Sequence, residues 1–151
     1  MTCAPAIERI EADGRELALI LRVGFRRDGI EFLTSSDDSQ QLGYMHRPAG
    51  YIIEPHLHLP APREVSYTKE VLFVRSGRLR ADFYDEQRNY LESVRLSAGD
   101  VVLLSRGGHG FEMLENSEIV EVKQGPYVGE RDKVRFAPVA REHLRVRGDD
   151  R

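Results

Sequence analysis

The chain has 151 residues, 40% of them hydrophobic, a formal net charge of -3 and a single cysteine, Cys3. That length suits one domain burying roughly 68–70% of its unfolded surface. The acidic balance argues against a nucleic-acid-binding face, and a lone cysteine rules out an internal disulfide. No stretch approaches the ~18 apolar residues of a membrane span, and the start, MTCAPAIERIEADG, lacks the apolar segment of a signal peptide. The expectation is a cytoplasmic protein with neither a nucleic-acid nor a membrane partner.

Strand signals dominate in chain order. Leu17, Leu19, Leu21 and Val23 alternate through ELALILRV, and Arg27-Asp28-Gly29 supplies turn residues before a return strand at IEFLT. Residues 35–42 are a polar connection. YIIEPHLH, VLFV, LRADFY, VRL, VVLL, GFEML and EIVEVK then follow as short strands. Asp85 to Asn89 reads as a hairpin tip, and Ala98-Gly99-Asp100 turns the chain into VVLL. So many short strands predict an antiparallel sandwich or barrel. Residues 1–136 read as one domain, and 137–151 as a charged, loosely packed tail with one short helix over 139–146.

The densest chemistry lies between Gly50 and Gly77, where Gly50, His56, His58, Glu70 and Gly77 are spaced as G-x5-H-x-H-x11-E-x6-G. In a strand, residues two apart point the same way, about 6–7 Å apart, so His56 and His58 can share a metal ion. These residues resemble the cupin superfamily, whose first motif is G-x5-H-x-H-x(3,4)-E-x6-G and whose second is G-x5-P-x-G-x2-H-x3-N. The second is represented by Gly99, Ser105, Arg106, Gly107, Gly108 and His109. There are departures: an eleven-residue spacer between His58 and Glu70, serine for proline, His109 one position early, and Met113 for asparagine. The spacer, Leu59 to Lys69, holds Pro60 and Pro62 and reads as a surface loop.

The resemblance covers roughly residues 45–125. It implies an all-β double-stranded β-helix, the jelly-roll barrel, and one divalent transition metal (Zn, Fe, Mn, Ni or Cu) held by His56, His58, Glu70 and His109. Glu64 is the rival carboxylate. Glu70 is preferred because it opens a strand with six residues between it and Gly77. The resemblance also suggests an enzyme acting on a small polar molecule such as a sugar derivative, keto acid or nucleotide-linked sugar. A non-catalytic binding or sensor module and a metal-free acid/base epimerase are the rival readings.

Parity assigns the surroundings. Phe111 and Met113 share the face of His109, Leu72 and Val74 that of Glu70, and Glu54 that of the histidine pair. For the strand ending in Lys123 two parities stay open. With Val120 and Val122 in the core, Glu121 and Lys123 form a solvated outer face. With the opposite parity, Lys123 points inward as an acid or base. Tyr51, Tyr67, Tyr127 and Arg63 are further candidates for contacting a ligand. The Leu59 to Lys69 loop is expected to act as a lid over the site. The apolar ELALILRV and IEFL segments suggest a homodimer.

Overall fold

In the computed structural model, which describes residues 5–148, Asp13 and Gly14 have φ of 51° and 71°. Positive φ at both central residues is what a tight hairpin requires. This one joins β1 (Ile7–Ala12) to β2 (Arg15–Leu21). The chain continues through β3 (Gly29–Phe32), β4 (Gly43–His46), β5 (Glu70–Ser76), β6 (Arg78–Tyr84), β7 (Tyr90–Ser97), β8 (Val101–Leu104), β9 (Gly108–Met113) and β10 (Glu118–Lys123). Helix among the described residues is limited to two 3-10 turns, Gly129–Asp132 and Arg141–His143, the second standing where a short helix was expected. The fold is therefore mostly β, and no described helix is long and apolar enough to cross a membrane. Cys3 lies outside the described residues.

Two compact units are present, one formed by Met1–Phe25 and Tyr67–Arg151, the other by Arg26–Ser66. The first is a two-layer sandwich. One layer is an antiparallel five-stranded sheet in the order β1-β2-β8-β5-β10, the other a three-stranded sheet in the order β7-β6-β9. Both sheets stay open, and no closed barrel forms among the described residues. Ile10, Ala18, Ile20, Leu72, Val74, Val102 and Leu104 from the larger sheet share one core with Leu79, Ala81, Phe83, Val94 and Leu96 from the smaller. Burial of this apolar surface is the main stabilising term.

β2 is an interior strand, paired with β1 on one side and β8 on the other. Its residues Leu17 to Leu21 are all buried. The apolar alternation that suggested a dimer is thus used by the chain's own sheet. Gly77, with φ of 81°, turns the chain from β5 into β6, and a Cβ there would stand 2.3 Å from the Asn116 carbonyl oxygen. Only glycine fits.

The second unit holds the β3–β4 hairpin, in register from Gly29↔His46 to Phe32↔Gly43. Its polar connection is organised by Gln41, whose Nε2 donates to the carbonyls of Ser35 (2.7 Å) and Asp38 (2.8 Å). The strand expected at YIIEPHLH does not form. Residues 51–66 carry no regular secondary structure and are exposed. Pro55, Pro60 and Pro62 remove three backbone donors from this stretch, which leaves little for a ladder to hold.

Polar residues lock the sandwich at its sides. Arg22 Nε donates to Glu8 Oε1 (2.6 Å), and its Nη1 donates to Asp100 Oδ2 (2.9 Å) and the Arg95 carbonyl (2.7 Å). Both carboxylates are buried. The charged tail is also held: Arg147 Nε donates to Glu92 (2.8 Å), and Val146 bridges Ser93 on β7 in parallel. Reciprocal backbone bonds, Ser93 N to Arg145 O and Arg147 N to Ser93 O, each 2.8 Å, cover the outer edge of β7.

Removing Arg22 strands two buried carboxylates. Arg22→Met is expected to cost about 3 kcal/mol. Arg15→Met, which breaks the exposed Arg15–Glu86 pair, is expected to cost under about 1 kcal/mol. Urea unfolding midpoints of the two variants check the ranking.

Candidate functional site

Three strands of the sandwich end in a polar group on their inward-facing side. On β5 the inward row is Glu70, Leu72 and Val74, the last two fully in the core. On β10 it is Ile119, Glu121 and Lys123, with Ile119 packed on the core while Val120 and Val122 stand exposed on the outer face. The parity that places Lys123 inward is therefore the one adopted, and the alternative with Val120 and Val122 in the core is not. A register shift between Glu118 and Ile119 sets this phase. On β9, Phe111 packs on the core and His109 shares its side.

Glu70 and Lys123 are direct cross-strand partners, and Lys123 Nζ lies 3.5 Å from Glu70 Oε1. From the other sheet, His109 Nε2 lies 3.2 Å from Glu70 Oε2. The carboxylate is thus gripped at both oxygens, with its side chain 16% exposed. The His109 hydrogen bond holds the Glu70 carboxyl below its ordinary value of 4.5; burial opposes this, and the His109 and Lys123 charges add to it. Burial pushes the Lys123 ammonium down, but the Glu70 and Asp132 carboxylates outweigh it and the net direction is upward. Asp132, which carried no signal in the sequence, accepts a hydrogen bond from Thr68 Oγ1 at 3.1 Å. Phe111 covers the His109 ring, centroids 5.5 Å apart.

The histidine pair lies in the second unit. His56 and His58 approach edge to face with ring centroids 5.3 Å apart, although no strand aligns them. His56 Nδ1 lies 2.9 Å from the Glu54 carbonyl oxygen. A carbonyl can only accept, so Nδ1 is the donor, and in the neutral ring this leaves the Nε2 lone pair free, the tautomer that a metal-ligating imidazole uses. Glu54 contributes this backbone oxygen.

The remaining candidates do not gather round either group. Arg63 donates to the Ala61 carbonyl (3.2 Å) within its own loop, and Tyr51 lies under the Arg47 guanidinium at 4.5 Å. Tyr67 is covered by Arg106 at 5.1 Å. Tyr127 is 83% exposed and Met113 47%. Glu64 is exposed in the loop.

The structure therefore presents the four expected ligands as two pairs, His56 with His58 and Glu70 with His109, each within its own unit. Among the described residues no group of three or more His, Cys, Asp or Glu side chains is assembled as a metal cluster. The donor chemistry of each pair nevertheless fits a metal. Imidazole nitrogen and carboxylate oxygen are both donor types that divalent transition metals accept, although in this structure His109 and Glu70 are joined directly by their own hydrogen bond at 3.2 Å. No protein-family model matches the chain, and no curated protein or solved structure matches it either.

The depressed Glu70 carboxyl has a pH signature. Its stabilising contribution is full above the ordinary value of 4.5 and is lost as pH falls through the lower folded value. Wild type should therefore exceed Glu70→Gln in stability at pH 7, and the gap should close below about pH 4. Urea midpoints of both proteins between pH 7 and pH 3 measure it.

Proposed function

We propose that this is a metal-binding protein of cupin type in which His56, His58, Glu70 and His109 hold one divalent transition metal. The observation that carries the reading is Glu70, a carboxylate at the polar end of an apolar core with an imidazole at one oxygen and a cation at the other. The His56 tautomer supports it independently. In this reading the sandwich is a jelly roll. Support for that comes from two layers of antiparallel strands, ordered β1-β2-β8-β5-β10 and β7-β6-β9, that share one apolar core.

When bound, the metal supplies Lewis acidity toward an oxygen of a small polar substrate. The chain's own residues do the remaining work. Glu70 and His109 hold their positions because their strands are fixed by Leu72, Val74 and Phe111 in the core. The apolar Phe111 beside His109 limits water on that side. Lys123 places an ammonium 3.5 Å from Glu70 Oε1 and so balances the charge of that carboxylate.

A second reading is favoured by the direct Glu70–His109 contact. Carboxylate, imidazole and ammonium already form a connected acid/base set within one unit, which is what a metal-free isomerase or epimerase would use. Metal analysis separates the two. Protein purified without an affinity tag should carry close to one equivalent of metal. His56→Ala and His58→Ala should each lose most of it while melting within a few degrees of wild type. Glu70→Gln should weaken binding, whereas Glu64→Gln should not. Full metal content in both histidine variants would leave the acid/base reading standing.

A further inference from the structure

Lys123 is the one charged group at Glu70 that the expected ligand set does not use. It is not a surface lysine that strayed inward. Register pairs it with Glu70, and the inward phase of β10 forces its stem along the same face as Ile119. Its ammonium, 25% exposed, stands 3.5 Å from Glu70 Oε1.

An ammonium and a divalent cation cannot both sit against one half-buried carboxylate without strong repulsion, because the low local dielectric magnifies their mutual charge. We propose that Lys123 is a built-in counter-ion: it neutralises Glu70 in the metal-free protein and yields the carboxylate when a divalent cation arrives. Loading is then an exchange of one positive charge for another. The displaced ammonium has somewhere to go: Glu121 lies two residues back on the same face of β10, and Asp132 is tied to Thr68, the neighbour of Lys69, whose carbonyl accepts from the Gln124 N–H next to Lys123. Thr68 Oγ1 donates to Asp132 and holds that carboxylate in place. Two consequences follow. The empty site stays paired instead of leaving a half-buried charge, and the affinity for metal is reduced by the cost of removing the lysine.

This inference rests on the metal reading above, and the test keeps the two separable. Zn2+ and Mn2+ are titrated calorimetrically into metal-free full-length wild type, Lys123→Met and Asp132→Asn, with thermal unfolding of each protein in both states. Lys123→Met should bind about tenfold more tightly, because the competing charge is gone. Its metal-free form should melt lower than wild type, and its metal-induced rise in Tm should be larger. Asp132→Asn, which removes the landing place, should bind more weakly than wild type. If Lys123→Met binds with unchanged or reduced affinity and its two forms melt lower by equal amounts, Lys123 is a structural partner of Glu70 only. The exchange is then wrong while the metal reading stands. If none of the three proteins takes up either ion, both fall together.

Discussion

Strand parity is the constraint on which both the core and the candidate site depend. Side chains alternate across a sheet, so once Leu72 and Val74 enter the core, Glu70 must point the same way. The same argument fixes Lys123 through Ile119 and places His109 on the side of Phe111. A slip of one residue on any of these strands would turn its charged group out to solvent and push an outer-face side chain inward. The hydrophobic effect therefore positions the polar groups. Apolar burial is large and insists on one register, and the contacts at Glu70 follow from that register.

Much of the sandwich was legible because its inner strands carry unbroken apolar rows flanked by turn residues. LRADFY, VVLL and EIVEVK all became strands as expected. β1 was not read from IERIEA, whose charged alternation suits a sheet edge, although Asp13-Gly14 is a hairpin signal in its own right. The phase of β10 was ambiguous because EIVEVK offers two credible inward faces. A register irregularity beside Glu118 decided it, and bulges leave little trace in composition. YIIEPHLH failed for the opposite reason. Its apolar residues suggested a strand, but pairing needs backbone donors and a partner, and Pro55 within it, with Pro60 and Pro62 just beyond, removes donors.

The charged termini show the same limit from another side. Phe136 packs edge to face on Tyr84 at 5.0 Å, at the end of the segment expected to be packed. Beyond it VAREHLRVRG has the composition of a solvated tail, yet Arg147 reaches both Glu92 and Glu8. An arginine can be recruited into structure wherever buried carboxylates await a bidentate donor. Here Arg147 meets Glu92 with two N–H groups, and Glu8 accepts one hydrogen bond each from Arg22 and Arg147. Sequence alone does not reveal which of 22 basic residues will meet a buried acid, because the pairing spans up to 139 positions along the chain. That separation is also why the N-terminal hairpin and the tail are best regarded as one structural feature.

The ion pairs at Glu8 and at Glu70 obey one rule and differ in one respect that bears on function. Each buried or half-buried carboxylate is matched by two positive or donating groups, since an unpaired charge in such surroundings is costly. Glu8 is served by two arginines, each meeting it with one hydrogen bond while its other N–H groups are fixed on further acceptors, Asp100 and the Arg95 carbonyl for Arg22, Glu92 and the Arg9 carbonyl for Arg147. Glu70 is served by an imidazole and a lysine. Both are single-point contacts. One is a natural metal ligand, and the other is a flexible ammonium with other carboxylates near at hand. A purely structural carboxylate would be better secured by arginine. At the polar end of the core Glu70 thus differs from Glu8 in the kind of partner that holds it, an imidazole and an ammonium in place of two guanidinium groups.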